Sequence, residues 1–162
     1  MQLIWNLIYW LNMQIKDKEK NRKYIDGSKL KVGIVATRWN SEITDKLLEN
    51  ALEALDKSKI NLKNIRIIRV AGAIEMPFAL HRLAKSKKYN FLVAIACVIR
   101  GDTPHFDYVC KMVQEGVLKV MIEDNIPVGF GVLTMNNLKQ AKERIHVGGE
   151  AALAALELSS IK

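Results

Sequence analysis

The stretch Val98-Ile99-Arg100-Gly101-Asp102-Thr103-Pro104-His105 carries the densest chemistry in the chain. Asp102 or Thr103 is a good helix N-cap, and Pro104 suits a first helical position, so the stretch predicts a turn feeding a helix. Gly101 would let the backbone turn tightly. Capping accounts for Gly, Thr and Pro without any function, but it does not account for His105. A helix N-terminus disfavours a protonated imidazole, so a His placed there is kept neutral, as a general base near pH 7 requires. The free N–H groups beside it form an anion site. The pattern predicts a phosphate cradle with a base next to it.

Other candidate positions are less specific. In Ala71-Gly72-Ala73-Ile74-Glu75-Met76-Pro77 small residues permit close backbone approach, and Glu75 either accepts hydrogen bonds from hydroxyls or simply sits favourably at a helix start. In Thr37-Arg38-Trp39-Asn40 the Trp either belongs to a core or stacks on a flat heterocycle. By position alone Phe130 reads as a core residue and Arg144 as a solvated cation closing a helix. His81 and His146 lack partners at metal-ligand spacing and read as surface or hydrogen-bonded histidines.

These positions inherit their meaning from the elements around them. Lys31–Ala36 (KVGIVA), Ile65–Val70 (IRIIRV), Phe91–Cys97 (FLVAIAC) and Pro127–Leu133 (PVGFGVL) are predicted strands. The unbroken apolar run of the third is typical of a central parallel strand covered on both faces. Predicted helices cover Ser41–Lys57, capped by Ser41, and Pro77–Lys87. A third covers Phe106–Ile122, with Phe106, Val109, Met112, Val113, Val117, Val120 and Met121 on the buried stripe. Two more follow, near Asn137–Arg144 and Gly149–Leu158, with Gly148-Gly149 as the break between them. Such alternation implies an α/β fold with a parallel sheet and helices on both faces, whose ligands bind beyond the carboxyl ends of the strands. The candidate residues after the first three strands lie at those ends.

Composition narrows the class. The chain has 162 residues, 49% hydrophobic and 26% charged, with a net charge of +8. That is one globular domain with enough chain for a core, and not a disordered protein. No apolar run reaches the ~18 residues a spanning helix needs, so no membrane span is expected. Cys97 and Cys110 match neither a disulfide scaffold nor a zinc or redox spacing. The basic residues are interleaved with acidic ones or close a helix, and no nucleic-acid-binding motif accompanies them, so no nucleic-acid partner is expected. No Gly-x-Ser-x-Gly, P-loop or Gly-x-Gly-x-x-Gly occurs, which leaves serine hydrolase, NTPase and dinucleotide readings without support.

Residues 1–29 stand apart. An apolar patch from Leu3 to Leu11 precedes the charged run Lys16–Lys23, without the features of a signal peptide. Three readings compete: an extension packing on a partner subunit, a weak membrane-surface segment, or residues added by an upstream start codon. The turn signal Asp26-Gly27-Ser28 then opens the domain, taken as 30–162.

From Lys31 to Leu158 the chain resembles the lumazine synthase family, the 6,7-dimethyl-8-ribityllumazine synthases of riboflavin biosynthesis. Val98 to Val109 (VIRGDTPHFDYV) is the most specific part. It is supported by Arg38-Trp39-Asn40, Gly72 to Pro77, Phe130 to Thr134 and Gly149 to Ala152, in the same order. The resemblance implies a three-layer α/β/α sandwich around a four-stranded parallel sheet, in a flavodoxin-like arrangement. It implies a cytoplasmic homopentamer with active sites between subunits. The family condenses 5-amino-6-(D-ribitylamino)uracil with 3,4-dihydroxy-2-butanone 4-phosphate, without metal or organic cofactor. Residue by residue, it implies that Trp39 stacks on the pyrimidinedione and that Ala73, Ile74 and Glu75 hold the ribityl chain and ring. Cys97, Val98 and Ile99 line the ring pocket through their backbone, and Phe130 closes it from the neighbouring subunit. Asp102 and Thr103 bind the phosphate, Arg144 pairs with it, and His105 shuttles protons.

Two departures matter. Trp39 stands where Phe is commoner, which keeps the stacking and changes the pocket's size. The stretch Arg144 to Gly149 is shorter than the family's connector, and a basic phosphate contact carried there by some members is missing; Lys142 and His146 are the nearby candidates. The same connector influences assembly beyond the pentamer. Three rivals share parts of this reading: a flavodoxin- or receiver-like binding module, a catalytically silent shell protein, and a nucleic-acid binder. The first lacks the acidic residues or the Gly-rich loop it needs after strand one, where Ala36 to Asn40 stand.

Overall fold

The computed structural model describes residues 24–161. The patch Leu3–Leu11 and the run Lys16–Lys23, and with them the readings of the extension, lie outside the described residues. The chain runs β1 (Val32–Thr37), α1 (Ser41–Lys57), β2 (Ile65–Val70), α2 (Met76–Lys85), β3 (Phe91–Ile99), α3 (His105–Glu123), β4 (Val128–Met135), α4 (Leu138–Lys142) and α5 (Val147–Leu158). Single 3-10 turns at Leu62–Asn64 and Ala73–Glu75 lead into β2 and α2. Before β1, the Asp26 carboxylate accepts the Ser28 N–H at 3.0 Å and forms the expected turn.

The four strands form one parallel sheet in the order β2-β1-β3-β4. β3 is central and buried from Phe91 to Cys97, which is why its sequence is continuously apolar. Successive side chains point to opposite faces. Ile34, Val93, Ile95 and Leu133 pack under Leu47 and Leu55 of α1 and Ala151 and Ala155 of α5. Val35, Leu92, Ala94 and Val132 pack under Met76 and Leu80 of α2 and Val113 and Val117 of α3. The result is a three-layer α/β/α sandwich in a flavodoxin-like arrangement.

Several local expectations need correction. Asn40, not Ser41, occupies the cap position of α1; it is left-handed (φ 55°, ψ 44°) and makes no side-chain cap bond. Pro104 sits at the cap of α3 rather than inside its first turn, also without a side-chain cap bond. Met112 is 51% exposed, because the buried line of α3 is carried by Val109, Val113, Val117 and Val120 alone. Gly148-Gly149 is not a break: both lie inside α5, and the chain turns earlier, between Lys142 and Val147. A Cβ at Gly148 would overlap the Leu47 carbonyl oxygen, so this glycine serves the close crossing of α5 over α1.

Candidate active site

At the carboxyl ends of β1 and β3 the structure opens a cleft of about 340 Å³. Three chain segments build it: Thr37 to Asn40 after β1, Gly72 to Glu75 before α2, and Cys97 through the first residues of α3. Of the expected site residues, Trp39, Ala73, Ile74, Glu75, Cys97, Val98, Ile99, Thr103 and His105 come together on its wall.

Trp39 is 74% exposed and lines the cleft, so it is not a core residue. Its backbone is held firmly. The Trp39 N–H donates to Ala71 O at 3.1 Å, and its carbonyl accepts the hydroxyls of Thr44 at 3.1 Å and Thr37 at 3.4 Å. Both threonines are buried, where a hydroxyl needs a partner. Beside Trp39, the Asn40 amide donates to the Cys97 carbonyl oxygen at 2.7 Å and joins the ends of β1 and β3. The left-handed backbone of Asn40, a conformation Asn tolerates better than most residues, aims the side chain there.

Across the cleft, one Glu75 carboxylate oxygen accepts the Gly72 N–H at 2.8 Å and folds the Gly72–Glu75 turn back on itself. Ala73 is buried beneath this turn. At the floor, burial pushes the Cys97 thiol up to about 11, which leaves it protonated and unsuited to nucleophilic attack near neutral pH.

His105 is the first residue of α3, exposed, and among the residues that line the cleft. Its N–H donates to Thr103 Oγ1 at 3.4 Å. The Asp107 N–H is taken by the Pro104 carbonyl at 2.9 Å, but a negatively charged group beside His105 would still meet the positive end of a 19-residue helix. Gly101 also lines this end. It has no positive φ, and a Cβ there would meet nothing within 4 Å, so neither the turn nor packing within the chain demands a glycine.

Three expected site residues stay outside the cleft. Asp102 lies in the turn but does not line it. Phe130 is paired in register with Ala94, three residues below Cys97, and is 42% exposed on the edge strand β4, which corrects its reading as a core residue. Arg144 follows α4 and donates to Gln140 O at 3.0 Å. Lys142, a candidate for the missing basic contact, is paired with Glu42 at 2.7 Å. Conversely, Thr37, Asn40, Gly72, Gly101, Phe106 and Val109 also line the cleft, although none of them was assigned a substrate contact. All but Thr37 lie inside the motifs that carry the family resemblance.

A model of the 6,7-dimethyl-8-ribityllumazine synthase family matches residues 29–162. The chain is similar to proteins of that name from Desulfovibrio desulfuricans, 44% identical with 82% of this chain and 88% of the relative covered. It is similar also to those from Parabacteroides distasonis (40%; 82% and 86% covered) and Thermobifida fusca (42%; 85% and 82% covered).

Proposed function

The chain belongs to the 6,7-dimethyl-8-ribityllumazine synthase family, transferases of riboflavin biosynthesis, and from that membership and the cleft we propose how it works. It joins 5-amino-6-(D-ribitylamino)uracil to 3,4-dihydroxy-2-butanone 4-phosphate and releases phosphate and water. One observation carries this reading: a stacking aromatic, Trp39, and a helix N-terminus bearing His105 line the same cleft.

The pyrimidinedione stacks on the Trp39 indole. Its polar edge meets the backbone of Cys97, Val98 and Ile99, and the ribityl chain runs along Ala73, Ile74 and Glu75. The butanone phosphate lies with its phosphate at the start of α3, beside Asp102 and Thr103. Amine addition to the ketone, loss of phosphate and ring closure each require proton transfers. His105 takes and returns these protons, an effect typically worth ~10²–10⁴-fold. Most of the remaining acceleration comes from holding two substrates in one orientation, which can supply ~7–11 kcal/mol. No metal or organic cofactor enters this scheme.

The protein works as a cytoplasmic homopentamer, and the domain proper spans 30–162. Phe78 of α2 and Tyr108, Leu118 and Ile122 of α3 are exposed apolar residues on one layer of the sandwich, as a self-association surface requires. Phe130 and Arg144, remote from the cleft of their own subunit, are then supplied to a neighbour's cleft, where Arg144 pairs with the leaving phosphate. No helix among the described residues is long and apolar enough to cross a membrane.

The test mixes purified protein with both substrates and follows lumazine fluorescence and released phosphate, with His105→Ala alongside. The native chain is expected to exceed the spontaneous rate, and His105→Ala to lose ~10²–10⁴-fold without losing substrate binding. A native chain no faster than the uncatalysed mixture would sink the proposal.

A further inference from the structure

The turn from Gly101 to Pro104 must hold its shape for the phosphate and His105 to meet, yet it has little to hold it. Besides the Thr103–His105 contact, no side-chain hydrogen bond reaches residues 101–105 among the described residues. The support comes from Arg100, one residue upstream. Its N–H donates to Met135 O at 2.8 Å and carries the β3–β4 ladder one step past the strands. Its guanidinium forks onto Asp107, Nη2 to Oδ1 at 2.9 Å and Nη1 to Oδ2 at 3.2 Å. Its Nε donates to Asn136 Oδ1 at 3.3 Å, and Cζ stands 4.2 Å from the centroid of the Phe106 ring, which lines the cleft. One planar group thus touches the end of β4 and two residues of the first turn of α3.

We propose that Arg100 is a positioning residue that closes the ends of this turn like a clasp and so sets His105 and the phosphate donors against the phosphate-bearing substrate. The proposal rests on the function argued above. Arg100 and Asp107 are both exposed, at 43% and 59%, so as a surface pair they add little to stability. What the fork does supply is direction: two parallel N–H···O bonds fix the plane and distance of Asp107, and lysine, a point charge, cannot reproduce that. Asp107 is two residues from His105 on the same helical turn, so an error in one is transmitted to the other.

The experiment is a double-mutant cycle of Arg100→Met, Asp107→Asn and the pair, with Arg100→Lys added. Both substrates are titrated, and Tm is measured for each variant. Expected is a fall in kcat/KM for the butanone phosphate on the order of 10²-fold in each single variant, since misplacement of ~1 Å can cost that much. The double variant should be no worse than the singles, because residues acting as one unit are non-additive. Tm and the KM for ribitylaminouracil should not move, and Arg100→Lys should recover only part of the loss. Additive losses, a KM for ribitylaminouracil that rises together with that for the butanone phosphate, or a loss that tracks Tm would overturn the clasp. An active native chain with an unimpaired Arg100→Met would overturn the clasp alone, whereas an inactive native chain would overturn the function beneath it.

Discussion

The Asn40 side-chain amide donates to the backbone carbonyl of Cys97 at 2.7 Å, which locks the ends of two adjacent strands at the floor of the cleft. Trp39 is set by the same turn, since it precedes a left-handed residue and its carbonyl is gripped by buried Thr44 and Thr37. Trp39 and Cys97 are therefore tied together through one turn.

From that relationship, Asn40→Ala should be worse than Asn40→Gly. Both lose the bond to Cys97, worth ~1 kcal/mol. Only alanine adds left-handed strain of roughly 1–2 kcal/mol, offset in part by glycine's greater freedom in the unfolded chain. Denaturant unfolding of both variants checks this; equal stabilities would show that the backbone conformation of Asn40 is not what the side chain must satisfy.

Gly101→Ala separates fold from function. The position has no positive φ and open space around it, so stability should hold or rise by ~0.4–1 kcal/mol. If a phosphate approaches this backbone closely, the added methyl should raise the KM for the butanone phosphate and leave that for ribitylaminouracil alone. Steady-state titration of each substrate decides it, and an unchanged KM for both would move the phosphate away from Gly101.

Gly148→Ala tests the helix crossing. The methyl would overlap the Leu47 carbonyl, a backbone atom that cannot swing aside. Overpacking of this kind typically costs ~1–3 kcal/mol and sometimes more. Loss of stability in denaturant unfolding is expected; a Tm equal to that of the native chain would mean that α1 and α5 can slide apart freely.

Acid should weaken the fold below the ordinary carboxylate range. Burial pushes the Asp124 carboxyl up, but hydrogen bonds from His81 Nδ1 at 2.8 Å and contact with Lys85 outweigh it and hold the group below its usual value. Asp26 is held down to about 2, first by the Ser28 N–H and then by Lys59. A depressed carboxylate binds protons more readily when unfolded, so its stabilising effect is complete above pH ~4 and disappears as pH falls through the folded value. Stability is expected to decline between about pH 4 and 2. Asp26→Asn combined with Asp124→Asn should flatten that decline in Tm-versus-pH scans, and an unaltered slope would assign it to other carboxylates.

Much of the fold is legible in sequence because burial leaves a periodic trace. Phe91 to Cys97 had to be apolar at every position once both faces of β3 were covered, and that run alone marks a central strand. The start of α3 is legible for another reason: Gly101 to His105 are close in the chain, so their spacing already implies a turn feeding a helix, whereas the fork of Arg100 onto Asp107 was not read from it. Cap assignments were less secure, since Ser41 and Thr103 had the right chemistry while the backbone placed Asn40 and Pro104 at the cap positions. The glycine pair at 148–149 misled because a glycine reads alike whether it ends a helix or lets a neighbour approach.

By itself, then, the amino-acid sequence determined the alternation of strands and helices, the apolar stripes, and the local motif that places His105 at a helix start. Those are short-range properties, set by side chains a few positions apart. Only the tertiary structure decided that Asn40 meets Cys97, that Gly148 meets Leu47, and that Phe130 and Arg144 do not line the cleft. Each of these follows from the strand order β2-β1-β3-β4 and the helix layers on it. Such contacts join residues distant in sequence, and they come into being only when the whole core packs at once.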